Sequence, residues 1–212
     1  PAACSSTDPG NDTGIEVLED IVLDEQLVET SGLYCEANQI FTINDSGNSP
    51  NLFTLDPSGR IVKSERLTRK NTDWESITAD SEFFYIGDFG NNNNLRKDLA
   101  IYVVDINEVK NNEVAAEKIT FYYEDQEKFP PKKKNRHYDM EAFIYFNEHF
   151  YLFTKNRSSK FDGTTKLYKV PAIKGHHEAR LVGQFKTCDK GSECWVTGAD
   201  ISDDGKTLVL LT

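Results

Sequence analysis

Four segments of the sequence begin alike, and three of them begin with an acidic residue. In each segment a polar or acidic residue is followed four positions later by an apolar one, and the segments are Glu29–Leu33, Asp73–Ile77, Asp139–Phe143 and Thr197–Ile201. Self-similarity of this kind is the signature of a repeated structural unit. If the units are equivalent, their acidic side chains meet in space although they lie far apart in sequence.

Carboxylates that meet at one point predict a metal site. They cannot all stay ionised without a compensating cation, because neighbouring like charges raise each other's pKa. Ca²⁺ takes about six to eight oxygen ligands, so it is the simplest cation to expect. The predicted ligands are Asp73, Glu75, Glu141 and Asp200. The alternative is that these carboxylates accept hydrogen bonds from backbone amides of the next unit and clamp neighbouring units together.

A second set of polar residues follows the next strand of the first two units. The first loop contains Asn44-Asp45-Ser46-Gly47-Asn48, and the second runs from Asp88 to Arg96. Asp, Asn and Gly are ordinary turn residues. If the two loops share one rim, however, they predict a ligand site, with Arg96 binding a carboxylate or another anion through two hydrogen bonds, or bracing Asp88. The predicted ligand-binding residues are Asn44, Asp45, Asp88, Asn91 and Arg96.

Nucleophilic catalysis has little support in the sequence. There is no Gly-x-Ser-x-Gly motif, and His137 is the only histidine close to one of the acidic segment starts. A general-base role for His137 is therefore the one catalytic hypothesis that involves a histidine.

Short β-strands are predicted on both sides of these motifs. Each segment start is followed by runs rich in β-branched and aromatic residues between turn formers, which predicts strands. The predicted second strands are Gln39–Ile43, Phe83–Ile86, His149–Phe153 and Thr207–Leu211. The third are Asn51–Leu55, Ala100–Val104 and Lys166–Val170, and the outer are Ile61–Leu67, Lys118–Tyr123 and Arg180–Phe185.

Repeated four-stranded units in an all-β chain predict a β-propeller. We expect residues 1–15 to be a flexible tether and residues 16–212 to form about three and a half blades of a propeller that has six blades when complete. The sequence would then be the N-terminal portion of a longer protein, because a propeller needs closure to remove its sheet edges. The pattern also predicts that Trp74, Tyr85, Phe143 and Tyr151 are buried within or between blades.

The cysteines indicate an oxidising compartment. Cys188 and Cys194 enclose a turn-forming segment and predict a disulfide, with a metal site as the alternative. Cys35 is predicted to be a buried apolar side chain. Pro1-Ala2-Ala3-Cys4 precedes a polar stretch, as at the end of a bacterial lipoprotein signal, which predicts lipid anchoring at Cys4, with an ordinary thiol in a leader segment as the alternative.

The charge of the chain limits its partners. The formal net charge is -11, and phosphate backbones require a basic surface, so nucleic acid is not an expected partner. The one concentrated basic run, Lys132 to Arg136, is interpreted as an exposed loop. Contact with a membrane is expected only through Cys4.

Several of these motifs together resemble certain bacterial secreted or lipoprotein β-propellers, mostly of unassigned function. The resemblance covers roughly Leu27 to Thr212. It rests on Ser31-Gly32-Leu33, Asn44–Asn48, Asp73-Trp74-Glu75, Gly87–Asn91, Glu141-Ala142 and Thr197–Ser202 in that order. It implies the propeller fold without any proven chemistry. Phe89, where an aliphatic residue is usual, and Asn92 and Asn93, in place of acidic residues, depart from the pattern.

These observations lead to one functional hypothesis and two alternatives. We expect an extracytoplasmic, calcium-stabilised propeller in the periplasm or on the bacterial surface that binds a small molecule or a partner protein. The first alternative is a metal-dependent hydrolase of phosphate or carboxylate esters that uses the channel carboxylates. The second is a purely structural tether or assembly component.

Overall fold

The computed structural model describes residues 20–109, 113–188 and 190–212. Their regular structure is almost entirely β, with three short 3₁₀ turns at Glu25–Leu27, Lys133–Asn135 and Gly191–Cys194. The strands are β1 (Thr30–Glu36), β2 (Gln39–Asn44), β3 (Asn51–Leu55), β4 (Ile61–Leu67), β5 (Trp74–Ala79), β6 (Phe83–Asp88), β7 (Ala100–Asp105), β8 (Glu113–Val114), β9 (Glu117–Tyr123), β10 (Asp139–Phe146), β11 (His149–Lys155), β12 (Thr164–Pro171), β13 (Gly175–Lys186), β14 (Gly198–Ile201) and β15 (Leu208–Leu211).

The strands form three antiparallel four-stranded units and a hairpin. Unit 1 contains β1 to β4, unit 2 contains β5, β6, β7 and β9, and unit 3 contains β10 to β13. The β14–β15 hairpin begins a fourth unit. This confirms the predicted strands in their predicted order, and the fold class is all-β.

The innermost strands of the units lie side by side in the order β1, β5, β10 and β14, as in a propeller. Buried apolar clusters fill the spaces between unit 1 and unit 2, between unit 2 and unit 3, and between unit 3 and the hairpin. Strands β1 and β5 approach so closely that a Cβ on Gly32 would lie 2.8 Å from the backbone nitrogen of Ile77. Only glycine fits this position.

Each of the first three innermost strands carries a β-bulge at the same place. The pairing register skips one residue between Thr30 and Gly32 in β1, between Trp74 and Ser76 in β5, and between Met140 and Ala142 in β10. The extra residues are Ser31, Glu75 and Glu141. A bulge bends its strand and re-aims the bulged side chain, and bulges are common next to functional sites.

The outer strands connect units that are separate in sequence. Strand β9 of unit 2 pairs in parallel with β13 of unit 3, so that these two units form one continuous eight-stranded sheet. The two-residue strand β8 pairs in parallel with β4 of unit 1, although it lies on the connection between β7 and β9 of unit 2. The sequence repeat did not predict either pairing.

Most of the predicted burial is confirmed. Trp74, Tyr85 and Phe143 are buried, and Tyr151 is half-buried against the cluster beside the hairpin. The Cys188–Cys194 disulfide is also present, with a Cα–Cα distance of 5.3 Å. The prediction for Cys35 is wrong, because this thiol is exposed. It lies on the same face of β1 as Leu33, which is 53% exposed, and no sheet among the described residues covers that face.

Candidate functional site

A cavity of about 740 Å³ lies where the innermost strands meet. Its walls come from β1, β5, β14 and the loop after β2, and the charged side chains that line it are Glu29, Asp45, Glu75, Glu141, Lys155 and Asp200. The segment starts that the sequence identified therefore do converge. Apolar side chains, among them Leu33, Ile77, Val209 and Leu211, and small polar residues and glycines form the rest of the lining.

Three carboxylates approach one another at one side of this cavity. One oxygen from each of Asp45, Asp73 and Glu75 lies within 4.8 Å of the corresponding oxygens of the other two. Two oxygens bound to one calcium ion at about 2.4 Å are at most about 4.8 Å apart, so the spacing permits all three to bind the same ion. Asp73 and Glu75 were predicted as metal ligands, and the structure adds Asp45, which the sequence placed in the ligand-binding loop.

Glu75 is the central member of this cluster. Its side chain is buried, with the residue only 8% exposed, and none of the described residues forms a hydrogen bond or an ion pair with its carboxyl group. Burial, followed by repulsion from Glu141 and Asp45, raises the pKa of Glu75 to about 10. Burial and then Asp45 also raise the pKa of Asp73. Without a cation, therefore, Glu75 is protonated at neutral pH.

Gly90 lies directly against the carboxyl groups of Asp73 and Glu75. Its amide donates a hydrogen bond to the carbonyl oxygen of Asp73 at 3.2 Å. A Cβ at position 90 would lie 2.3 Å from Oε1 of Glu75 and 2.5 Å from Cγ of Asp73. The absence of a side chain at this position therefore leaves room for the two carboxyl groups.

The corresponding carboxylates of unit 3 are already neutralised by basic side chains. Arg157 Nε donates to Asp139 Oδ2 at 2.6 Å, and Lys155 Nζ contacts Glu141 Oε1. The Arg157 guanidinium and the Lys155 ammonium both lie over the ring of Trp195. Glu141, a predicted metal ligand, thus faces the same cavity as Glu75 but has a cationic partner.

Asp139, the first residue of the third segment, links its unit to the preceding one through a hydrogen bond from a backbone amide. Its Oδ1 accepts a hydrogen bond of 2.7 Å from the backbone amide of Asn91 in unit 2. Asn91 also donates from Nδ2 to the carbonyl oxygen of Tyr138 at 3.1 Å. Asn91 was predicted to bind ligand, and in the structure it joins units 2 and 3.

Arg96 braces Asp88, which is one of the two roles the sequence left open. Arg96 Nη2 donates to Asp88 Oδ1 at 2.8 Å, and Nη1 donates to the carbonyl oxygen of Gly90 at 2.9 Å. Asp88 also accepts hydrogen bonds from the Tyr102 hydroxyl and the Asp73 amide. This network holds the Asp73 and Gly90 backbones beside the carboxylate cluster.

Asn44 has a similar backbone-supporting position. It is buried, and its Nδ2 donates to the carbonyl oxygen of Gln26 at 2.7 Å. Its own carbonyl oxygen accepts from Nδ2 of Asn71. Asn44 thereby fixes the loop that carries Asp45.

Asp200 lies away from the carboxylate cluster. It is exposed at the cavity wall, and its charge contributes to raising the pKa of Tyr34 and Cys35, after burial of each. In the alignment of segment starts, Asp200 occupies the fourth position, where unit 2 has Ser76, whereas Glu75 occupies the third. Strand β14 has no bulge in its described pairing with β15, so alternation directs the two side chains differently.

His137 is half-buried and is not part of the cavity lining. Burial, followed by the charge of Lys166, lowers its pKa. No histidine or cysteine is among the described residues that line the cavity.

Comparisons with known proteins find only distant structural similarity. No family model and no curated protein matches the sequence. The chain is similar to the computationally designed proteins Ika8 (TM-score 0.37, 12% identity, 86% of this chain and 45% of that one) and Ika4 (0.39, 11%, 93% and 100%). It is also similar to the periplasmic gluconolactonase PpgL of Pseudomonas aeruginosa (0.44, 10%, 85% and 64%).

The chain spans about half the length of Ika8 and just under two thirds of PpgL. All three TM-scores are below 0.5, so the fold description rests on the sheet topology of this chain. The described residues contain no helix with the length and hydrophobicity of a membrane span.

Proposed function

We propose that this chain belongs to an extracytoplasmic β-propeller, with six four-stranded blades when complete, that binds a divalent cation beside its central channel and a ligand or partner protein at the same face. Asp45, Asp73 and Glu75 hold the cation, which is Ca²⁺. The cation supplies a fixed positive charge at the mouth of the channel, and the carboxylates of unit 3 remain paired with Arg157 and Lys155.

A single observation carries this proposal, namely the buried carboxyl group of Glu75, which has no partner among the described residues and faces two further carboxylates. Burial of an uncompensated charge costs several kcal/mol. In unit 3, Lys155 and Arg157 oppose the effect of burial, which still raises the pKa of Glu141. Among the described residues, the cluster of Asp45, Asp73 and Glu75 has only the more distant charge of Arg96, which opposes the rise in the pKa of Asp73. A bound cation is the remaining way for Glu75 to be ionised at neutral pH.

The disulfide supports the location. Cys188 and Cys194 are bonded, and disulfides persist in oxidising compartments such as the periplasm and the cell surface. We also propose a lipid anchor at Cys4. Cys4 and the rest of the tether at residues 1–15 lie outside the described residues. The resemblance to bacterial secreted propellers points to the same location.

Binding is favoured over hydrolysis by the lining of the cavity. A metal-dependent hydrolase needs a general base or acid next to the ion. Among the described residues that line the cavity there is no histidine or cysteine, Glu141 is paired with Lys155, Glu29 accepts a hydrogen bond from Asn48, and Asp200 lies away from the cluster. We therefore propose a binding module, with the cation organising the loop that carries Asp45.

Calcium-dependent melting tests the proposal. A cation at a hundredfold excess over its Kd stabilises the native state by about 2.7 kcal/mol, which for a chain of this size raises the Tm by about 5–11 °C. Asp73→Asn should remove most of this shift between excess Ca²⁺ and chelator. Asp139→Asn is the matched control, because Asp139 is the equivalent residue of the next unit and already has a cationic partner, Arg157. A wild-type Tm that is the same in calcium and in chelator would remove the cation site.

A further inference from the structure

A second cavity, of about 830 Å³, lies on the other side of the loop that carries Asp45. Basic side chains form one wall, and they are Arg66, Arg69 and Lys70. The turn Gly47–Pro50 also lines the cavity. Glu113 is the only acidic residue among the described residues that line it. In a chain with a formal net charge of -11, three basic side chains around one cavity form a local positive potential.

The backbone that presents these side chains is fixed at both ends. Between Arg66 and Arg69, the Leu67 amide donates to the carbonyl oxygen of Pro50 at 2.8 Å, and the Thr68 amide donates to that of Val114 at 2.9 Å. After them, the buried side chain of Asn71 donates from Nδ2 to the carbonyl oxygens of Asn44 and Asp45 at 2.9 and 2.8 Å. The basic wall is therefore held in place by hydrogen bonds before any ligand binds.

The charges of this wall remain available for a ligand. Arg69 Nε donates to the carbonyl oxygen of Ala116 at 2.7 Å, which orients the guanidinium and leaves its two Nη groups. Among the described residues, no carboxylate forms an ion pair with Arg66, Arg69 or Lys70. By contrast, Arg96, Arg157, Lys155 and Lys166 all have acidic partners.

We propose that this cavity binds a small polyanion that carries two or more closely spaced phosphate or sulfate groups. A planar guanidinium binds such oxyanions through two parallel hydrogen bonds, and an ammonium adds a point charge. The cavity is open and large enough for a ligand with several anionic groups, whereas the strongly acidic remainder of the chain disfavours long nucleic acids. The site is separate from the carboxylate cluster, since the two cavities share no lining residue.

Isothermal titration with inorganic tripolyphosphate tests this proposal. The protein is first freed of calcium by dialysis and then measured without chelator, because tripolyphosphate binds calcium and chelators are themselves polyanions. Binding should be measurable at low ionic strength and weaken at about 150 mM salt, where the Debye length is about 8 Å. Sucrose octasulfate is the second probe. Tighter binding of tripolyphosphate identifies a phosphorylated ligand, and tighter binding of the sulfated sugar identifies a sulfated one.

Variants that remove the same number of positive charges at different places distinguish a specific site from a general electrostatic effect. Arg66→Gln and Lys70→Gln should each weaken binding about two- to fivefold, the range of an exposed ion pair. The variant that combines both substitutions leaves the hydrogen bond from Arg69 to Ala116 in place. Glu113→Gln should strengthen binding. The control removes the same charge from Lys132 and Lys133, which belong to the exposed basic loop. Equal losses in this control, or no binding of either probe by the wild type, would overturn the proposal.

Discussion

Replacement of Glu75 by glutamine should stabilise the metal-free protein at pH 8, whereas in a large excess of calcium the same replacement should make the protein less stable than the wild type. Below pH 4.5, the ordinary pKa of a glutamic acid, Glu75 is protonated in both the folded and the unfolded chain. Above that pH the unfolded chain releases this proton, but the folded chain without cation keeps it up to a pKa of about 10. The folded state then binds more protons than the unfolded state, so the free energy of unfolding falls as the pH rises.

The size of this effect follows from the linkage. One proton contributes at most about 1.4 kcal/mol per pH unit, so the metal-free wild type should lose up to about 2.7 kcal/mol between pH 6 and pH 8. This corresponds to a Tm decrease of about 5–11 °C. Glutamine has the same shape and no titration in this range. Metal-free Glu75→Gln should therefore be more stable than the wild type at pH 8 and nearly equal to it at low pH.

Calcium should reverse the order once its stabilisation of the wild type exceeds the pH-linked difference, which reaches about 4.8 kcal/mol at pH 8 and so requires an excess over Kd of about three thousandfold. Bound cation favours the ionised carboxylate, so the wild type gains stability in excess Ca²⁺ and the gain grows with pH, whereas Glu75→Gln gains little. Thermal melts of both proteins at pH 6 and pH 8, each in calcium and in chelator, measure the effect of the substitution, of pH and of calcium on the Tm. The difference between the two proteins cancels other titrating groups such as His137. If the difference in Tm is independent of pH in chelator, or if both proteins respond equally to calcium, the reasoning about Glu75 is refuted.

Three further predictions concern the scaffold of the site. Gly90→Ala should lower stability by about 1–3 kcal/mol through overpacking and abolish the calcium response, whereas Gly183→Ala, with no atom within 4 Å of the added Cβ, should alter neither in the same melts. Replacement of Cys188 and Cys194 by serine should cost about 2 kcal/mol for a loop of this length, and an unchanged Tm would mean that the loop is ordered without the bond. Trp74→Ala should cost about 3–5 kcal/mol in denaturant unfolding, because Trp74 is fully buried, and a loss below 1 kcal/mol would contradict its place in the core.

The repeat in the sequence predicted the strand order but not the bulges. Alternation and β-branched composition identify each strand, because side chains on a pleated strand alternate between two faces. The bulges at Glu75 and Glu141 insert one residue and re-aim it, and the sequence contains no direct signal for them. Asp200 was therefore grouped with Glu75 although it lies one position later in an unbulged strand.

The composition of the carboxylate cluster formed by Asp45, Asp73 and Glu75 also depends on tertiary structure. Asp45 belongs to a loop of unit 1, and only the close packing of β1 against β5 brings it to Asp73 and Glu75. The partners of Glu141 and Asp139 are likewise invisible in the sequence repeat, since Lys155 and Arg157 follow a different strand. A signal existed in hindsight, because in the pairing register of the second strands Lys155 and Arg157 of unit 3 stand where unit 2 has the uncharged Phe89 and Asn91.

The parallel pairing of β9 with β13 has a consequence for the order of folding. The two strands are more than fifty residues apart, with Ile119 opposite Gly175 and Tyr123 opposite Ala179, and contacts of such separation slow folding because the intervening loop must close first. Unit 2 therefore has no fully paired outer edge until unit 3 has formed. The two units should acquire protection against amide exchange together, as one cooperative unit rather than one after the other.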